Sequence, residues 1–302
     1  MALVYQTCGG LNTLVEPEEY GYTSGEEVFL RSCSNIDITE AGKIKTRAGV
    51  GQVHAQELGD CGNGYDAGDF MVFTEGPALS IMEKNGTVSR LRNITPGLRM
   101  SCAKMPQGVF HTNGVEHGYI AKDLLAKPWT PPADDVNVHP TREYSGPHVG
   151  HLLGTWRSSL LYAYGPHVYK SKPFNPFLYN HAEDVLPTIS RATMMREVTG
   201  GLWLSNLEGI YFYSGRDFSD FDRLPKYDKP IVEGTDVYVP QHEVSRELPV
   251  GLGVIVTAED AILFLAEDGT MMDLSSDKIT IPPGAIGTAM FRGGQYLVNI
   301  QL

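Results

Sequence analysis

Long apolar runs are missing from this 302-residue chain: no stretch of about 18 uncharged apolar residues occurs, which excludes a helix that crosses a bilayer. The N-terminal MALVYQTCGG has no basic segment leading into an apolar one, so neither a cleaved export signal nor a membrane anchor is expected. Cysteine is scarce, and Cys8, Cys33, Cys61 and Cys102 show no C-x-x-C spacing. That spacing speaks against zinc and for reduced thiols, with a Cys8–Cys33 bridge as the one pairing that would tie down the N-terminus. Positive charge is short as well, with Lys+Arg 24 against Asp+Glu 36 and a formal net charge of −12. A protein that grips nucleic acid usually carries a basic face. The only basic cluster here is Lys43, Lys45 and Arg47, one face of a strand and ordinarily a solvated one. Acidity of this degree favours solubility and a protein partner, not nucleic acid or membrane. No G-x-S-x-G elbow, HExxH pair, P-loop or sialidase-type box is present, and no long window shows a 3.6-residue apolar period.

What the chain does have is glycine, proline, tyrosine and phenylalanine (33, 19, 15 and 11) and 42% hydrophobic residues, enough for a sizeable core. Residues 71–86, MVFTEGPALSIMEKNG, form two alternating apolar strands and end in Asn85-Gly86, a strong hairpin signal. The unit returns without a gap at 254–269, VIVTAEDAILFLAEDG, with Thr74 and Thr257, Ala78 and Ala261, and Gly86-Thr87 and Gly269-Thr270 in register. Further copies lie at 109–119 (VFHTNGVEHGY), 160–170 (LLYAYGPHVYK) and 202–212 (LWLSNLEGIYF), and a partial one at 290–300. Irregular repeats of this size match β-propeller blades of four short strands, whereas a leucine-rich or helical repeat would be shorter and stricter. A β-sandwich of repeated hairpins is the competing arrangement. The expectation is an all-β, single β-propeller domain over 1–302 with about six blades.

Taken in order, an extended arm over 1–34 includes the polar NTLVEPEEYGY at 12–22. A hairpin follows at 35–50, NIDITEAGKIKTRAGV, with no partner in its own segment. Propellers often complete one blade from both chain ends, so this hairpin is expected to pair with 290–302 and close the ring. Two proline-containing stretches, 126–150 and 228–247, read as loop insertions long enough to be functional or to reach a neighbouring subunit.

Four groups of residues invite chemistry. Asp217, Asp220 and Asp222 put three carboxylates within six residues, but the calcium-hand glycine and twelfth-position glutamate are absent, so an Asx-type turn is the simpler reading. His139, His148, His151 and His167 gather in one region, with Gly146-Pro147 and Gly150 ruling out a helix that would aim two of them at one metal. At a subunit contact they would make assembly sensitive to pH near 6. Glu75, Glu116, Glu208 and Glu259 or Asp260 fall at similar points of their repeats and could ring one end of a channel, as a glycosidase would require, although acids at blade-equivalent points are more often solvated turn residues. Tyr162, Tyr164, Tyr169, Phe174, Phe177 and Tyr179, then Trp203, Tyr211, Phe212 and Tyr213, divide by alternation between a blade core and an outward set suited to a protein interface or a sugar ring. None of these groups earns a catalytic, cofactor or metal assignment.

The order of features resembles the β-propeller virion structural (minor tail) proteins of tailed bacteriophages. It is carried by NIDITEAGKIKTRAGV, an Asp66-to-Asp69 turn (DAGD), LLYAYGPHVYKSKPF, FYSGRDFSDFD and the terminal IGTAMFRGGQYLVNIQL, and it spans nearly the whole chain. Where many relatives carry a His-Ser-Leu-Trp-like strand, this chain has ELGDCG at 57–62. The resemblance implies a non-enzymatic scaffold of the tail, present in several copies, contacting other virion proteins and assembled in the host cytoplasm. A receptor- or glycan-binding propeller involved in host attachment, and a propeller glycoside hydrolase, are the alternatives.

Overall fold

A computed structural model describes the strands Cys8–Leu11 (β1), Val28–Leu30 (β2), Ile36–Ile38 (β3) and Ile44–Thr46 (β4), and then residues 58–59, 61–131, 143–275, 279–292 and 294–301. β1 pairs with β2 in parallel, and β3 pairs with β4 as the hairpin expected from NIDITEAGKIKTRAGV. Five antiparallel sheets follow in chain order, four of four strands and one, the third, of five. The first holds Cys61–Asp66 (β5), Phe70–Glu75 (β6), Ala78–Glu83 (β7) and Val88–Asn93 (β8). The second holds Ser101–Met105 (β9), Gly108–Thr112 (β10), His117–Ala121 (β11) and Ala126–Lys127 (β12). In the third, Leu152–Trp156 (β13), Ser159–Tyr164 (β14) and His167–Lys172 (β15) are joined by Asn175–Tyr179 (β16) and Val185–Pro187 (β17), both on β15. Ala192–Val198 (β18), Gly201–Asn206 (β19), Gly209–Ser214 (β20) and Asp222–Tyr227 (β21) make the fourth. The fifth is Val237–Pro240 (β22), Leu252–Thr257 (β23), Ile262–Leu265 (β24) and Met271–Asp273 (β25), with a one-turn helix Gln241–Val244 (α1) between β22 and β23. Ile286–Arg292 (β26) and Gln295–Gln301 (β27) end the chain as a hairpin.

The sheets are propeller blades, because each packs face to face on the next in sequence. One core lies between the first and second blades (Val72, Leu79, Ile81, Val109, Ile120), and another between the second and third (Ala103, Phe110, Trp129, Leu160, Tyr162). Leu161, Val168, Leu202 and Leu204 fill the third-to-fourth gap, and Trp203, Phe212, Val254 and Leu263 fill the fourth-to-fifth. A last core joins Ile255 and Phe264 to Phe291 and Tyr296 of the terminal hairpin. This explains why the repeats alternate in sequence yet show no solvated face in their middle strands. Odd and even positions of β19 enter two different cores, Trp203 toward the fifth blade and Leu202 and Leu204 toward the third. A repeated-hairpin sandwich would leave one face of each sheet to water.

The repeat register holds at atomic detail. Thr74 faces Leu79 and Thr257 faces Ile262 across their hairpins. Gly86 and Gly269 close the next turn with φ of 85° and 84°, a left-handed conformation that glycine adopts without a Cβ clash. Each lets the following threonine N–H reach a side-chain oxygen, Asn85 in one blade and Asp268 in the other, at 2.8 Å. The five complete copies are therefore the second and third strands of their blades. The partial copy at 290–300 is different: Met290 lies inside β26, the first arm of the terminal hairpin, and does not start a strand. Expected pairing of 35–50 with 290–302 is not found among the described residues, where β3 pairs only with β4 and β26 only with β27. The segment 228–247, expected as a loop insertion, contains β22 and α1. From 126–150 only the ends are described, and they are built in, with Trp129 and Tyr144 buried. The arm at 12–22, Cys33 and all of 132–142, His139 included, lie outside the described residues, as do the side chains of Cys8 and the basic strand at 43–47.

Candidate functional site

First strands of a propeller line its axis. Here β5, β9, β13, β18, the turn into β22, and β26 converge on a cavity of about 600 Å³. Its polar lining includes Asn63, Tyr65, Arg99, Cys102, Arg196 and Asp236. Two ion-pair systems span the blades around it. Arg196 of β18 donates from Nε to Asp236 Oδ2 (2.5 Å) and from Nη2 to the Asp236 carbonyl (3.3 Å), while its guanidinium lies 5.0 Å over the Tyr238 ring. Burial alone would lower the arginine's pKa, but Asp236 and Tyr238 outweigh it and the group is held more firmly charged than usual. Glu233 accepts a forked pair from Arg191 (2.9 and 3.2 Å) and sits 3.3 Å from Arg99 Nη1. Gly234, at φ 96°, leaves room for the Arg99 guanidinium, since a Cβ there would lie 2.9 Å from Nη2. The Cys102 thiol is pushed up to about 12 by burial, so it faces the axis as a neutral, unreactive group.

The acids expected to ring a channel stand elsewhere. Glu75, Glu116, Glu208, Glu259 and Asp260 stand at or beside the turns between second and third strands of the first, second, fourth and fifth blades, the third blade having none there, and none lines the cavity. Glu116 accepts from Arg92 Nη2 at 2.5 Å and from the Thr95 N–H at 2.6 Å. Burial pushes its carboxyl upward, yet the Thr95 N–H and the Arg92 charge prevail and hold it below the usual carboxylate value. Asp260 accepts from Tyr227 Oη at 2.7 Å and pairs with Lys229 at 3.0 Å. These bonds brace neighbouring blades or links and bring no two of the ring acids together for acid–base work.

Asp217 caps a single 3₁₀ turn at Phe218–Asp220, with Asp220 reaching back to the Asp217 N–H at 2.6 Å, and Asp217 also pairs with Lys170 of the third blade. This is the turn reading. Among the described residues no cluster of three metal-ligating side chains occurs. The histidines divide. His151 bonds the Ala192 carbonyl at 2.9 Å across the third and fourth blades, whereas His148 stacks on His181 with ring centroids 4.4 Å apart. His181 is held by Tyr162 Oη (2.6 Å) and Ser145 Oγ (2.9 Å), and burial followed by His148 lowers its pKa to about 4. His111 is fully buried, its pKa lowered to about 3 by burial and then by Arg92, and neither ring nitrogen has a protein partner.

Most of the aromatic series is core. Tyr162, Tyr179, Trp203 and Phe212 are buried, Tyr169 and Phe177 are half-buried, and only Tyr164 and Phe174 are exposed. Tyr164 ends a second strand and Phe174 lies between a third and a fourth, so they sit at opposite ends of the ring and make no common platform. Sequence reasoning missed Arg99, Arg196, Glu233 and Asp236, which belong to links between repeats and to the supposed insertion. It also missed Trp129, whose Nε1 donates to the Pro176 carbonyl at 2.7 Å. The mirror-like bond from Trp203 Nε1 to the Ala266 carbonyl (2.9 Å) shows the signal: a lone tryptophan beside a blade, aimed at the next blade's backbone.

The sequence matches no protein-family model and no curated protein. Among solved structures it is similar to virginiamycin B lyase from Staphylococcus aureus (14% identity, TM-score 0.49, 87% of this chain and 84% of that one). It is also similar to a streptogramin B lyase (12%, 0.42, 78% and 74%) and to an auxiliary nutrient binding protein from Bacteroides ovatus (6%, 0.45, 68% and 54%). Likeness this distant carries nothing about chemistry, and the β-propeller assignment stands on the chain's own blades.

Proposed function

We propose that this protein is a non-enzymatic structural component of a bacteriophage tail, a stiff ring that docks onto neighbouring virion proteins in several copies. The observation that carries the proposal is the use made of its reactive groups. Lys170–Asp217, Arg92–Glu116, Arg191–Glu233 and Arg196–Asp236 all run from one blade or link to another, as do the Trp129, Trp203 and His151 bonds. Groups that an enzyme would keep free for substrate are committed to holding blades at fixed angles. Stiffness is what a scaffold needs, since partners docked on separate blades are then held at constant spacing.

The same reading makes the ring six-bladed. β26 and β27 continue past the fifth blade with two strands, and β3–β4 is a two-stranded sheet without a host. Together they would supply the usual four. Phe73 and Ser80, on the face of the first blade turned away from the second, are buried, as a closed ring demands. Electron microscopy of purified particles tests both statements. Stoichiometric copies with a sixth four-stranded blade are expected, and absence of the chain from the particles would overturn the tail assignment.

A further inference from the structure

One end of the ring carries an apolar arc that the braces do not use. Val115, Tyr164, Ile189 and Leu207 are 62%, 53%, 58% and 55% exposed, and they stand on consecutive turns and links of the second, third and fourth blades. Backbone bonds make the arc continuous. Gly114 N–H donates to the Gly150 carbonyl (3.1 Å), joining the Val115 turn to the link into the third blade. His148 of that link lies 5.7 Å from Tyr164, ring to ring. Thr188 N–H donates to the Pro166 carbonyl (2.8 Å), and Leu207 N–H to Ser190 Oγ (3.1 Å), which seats Ile189 between Tyr164 and Leu207. Exposed apolar residues scattered singly need no explanation, but a contiguous set rimmed by polar groups marks an interaction surface.

The rim decides the partner. Turns and links at this end bear Glu75, Glu116, Glu208, Glu233, Glu259 and Asp260 against Arg92 and Lys229, paired to Glu116 and Asp260, and Arg99 and Arg191, which share Glu233, so six carboxylates face four cations. The end is therefore acidic on a chain whose formal charge is −12. We infer that this arc is a docking surface for a basic protein face with an apolar centre. The inference rests on the scaffold reading above and adds the chemistry of the neighbour. A second copy would set acid rim against acid rim, and nucleic acid or an anionic bilayer would be repelled in the same way.

Two measurements test it. In the first, a fluorescein-labelled amphipathic peptide of leucine and lysine is titrated against the full chain by anisotropy. Saturable binding is expected, weakening as salt is raised, and about tenfold or more weaker in the triple variant Tyr164→Ser, Ile189→Ser, Leu207→Ser. Val250→Ser, at the other end and 88% exposed, should bind like wild type. Equal affinity in the triple variant with its melting curve unchanged, or binding indifferent to salt, overturns the surface. In the second, a photo-cross-linking residue at 189 or 207 is carried into particles. A product with a virion protein through a Lys/Arg-rich peptide supports the inference, whereas a product with a second copy or an acidic peptide defeats it. Peptide binding by a chain absent from particles would leave the surface standing and remove the tail assignment. Incorporation without peptide binding, or cross-linking only from position 250, would do the reverse.

Discussion

Replacing His111 by leucine should leave the protein about as stable at pH 8 and make it less sensitive to acid. The imidazole lies in the core between the first two blades, opposite Cys102 on one side and Gly118 on the other, where a Cβ would come within 3.0 Å of Nε2. A buried N–H without an acceptor costs about 1–3 kcal/mol, so its removal offsets the packing lost with the ring. The acid response follows from linkage. In the fold the ring has its pKa lowered from 6.5 to about 3, so the unfolded chain binds a proton that the folded one refuses. Stability is then complete above pH 6.5 and is lost as pH falls toward 3. At about 1.4 kcal/mol per pKa unit, this one group removes roughly 2 kcal/mol between pH 8 and pH 5. His117, His151 and His181 are lowered too, burial first, and they keep some acid sensitivity in the variant. Urea denaturation of both proteins at the two pH values, with equal m-values, measures the difference. If wild type and variant lose the same stability on acidification, the unpartnered-histidine argument is wrong.

Further perturbations separate the other forces. Gly269→Ala meets both a φ of 84° and the Phe212 ring 2.5 Å from the new Cβ, and should cost about 2–4 kcal/mol against about 1 for Gly76→Ala in open space; equal melting shifts would contradict the repeat-turn geometry. Glu233→Gln strips Arg99 and Arg191 of their shared counter-charge and should destabilise by about 2 kcal/mol, below the fully buried case because both arginines keep some solvent; a change under about half a kcal/mol by thermal denaturation would refute the brace. Cys102, half-buried and with its thiol raised to about 12, should react with iodoacetamide at pH 8 much more slowly in the native than in the unfolded protein; equal rates, read by peptide mapping, would show that the fold does not hold the thiol neutral.

The strand pairs were legible because each is local. Asn85-Gly86 and the glutamate-aspartate-glycine of 267–269 fix their turns within a few residues, and the register of Thr74 with Thr257 needs no information from elsewhere. First and fourth strands were not legible in the same way. β22 is four residues long and ends in Pro240, and β12 is only two. Such strands exist because an inner neighbour holds them, a tertiary effect that no local pattern records. The ring acids failed for a related reason. Glu116 and Asp260 do occupy equivalent turns, but whether a carboxylate is free depends on Arg92 and Tyr227, which come from other hairpins. Among the aromatics, alternation divides the series as expected, but the outward face of β19 is the inward face of the next core, so Trp203 is as buried as Leu202.

That double use of every middle strand limits where anything can bind. Both faces of the third and fourth blades are packed, so their flanks offer no apolar surface to a partner. The outer edges are blunted: β21 reads DRLPKY, with Pro225 unable to donate to a further strand and Arg223 and Lys226 charged, as edge strands avoiding intermolecular pairing commonly are. The axis keeps a cavity of about 600 Å³, too small to admit a protein face, and Arg196 and Asp236 on its wall are paired to each other. What remains is the two ends, where turns can vary without disturbing a core. On one of them the exposed side chains join across three blades, and on the other Leu125, Phe174, Val250 and Leu252 stand on separate turns of the second, third and fifth blades, the Gln107 side chain reaching the Phe174 carbonyl. On the docking inference, a ring built this way would meet a neighbour through the end whose apolar turns are joined, and the acid rim there would favour a neighbour of opposite charge.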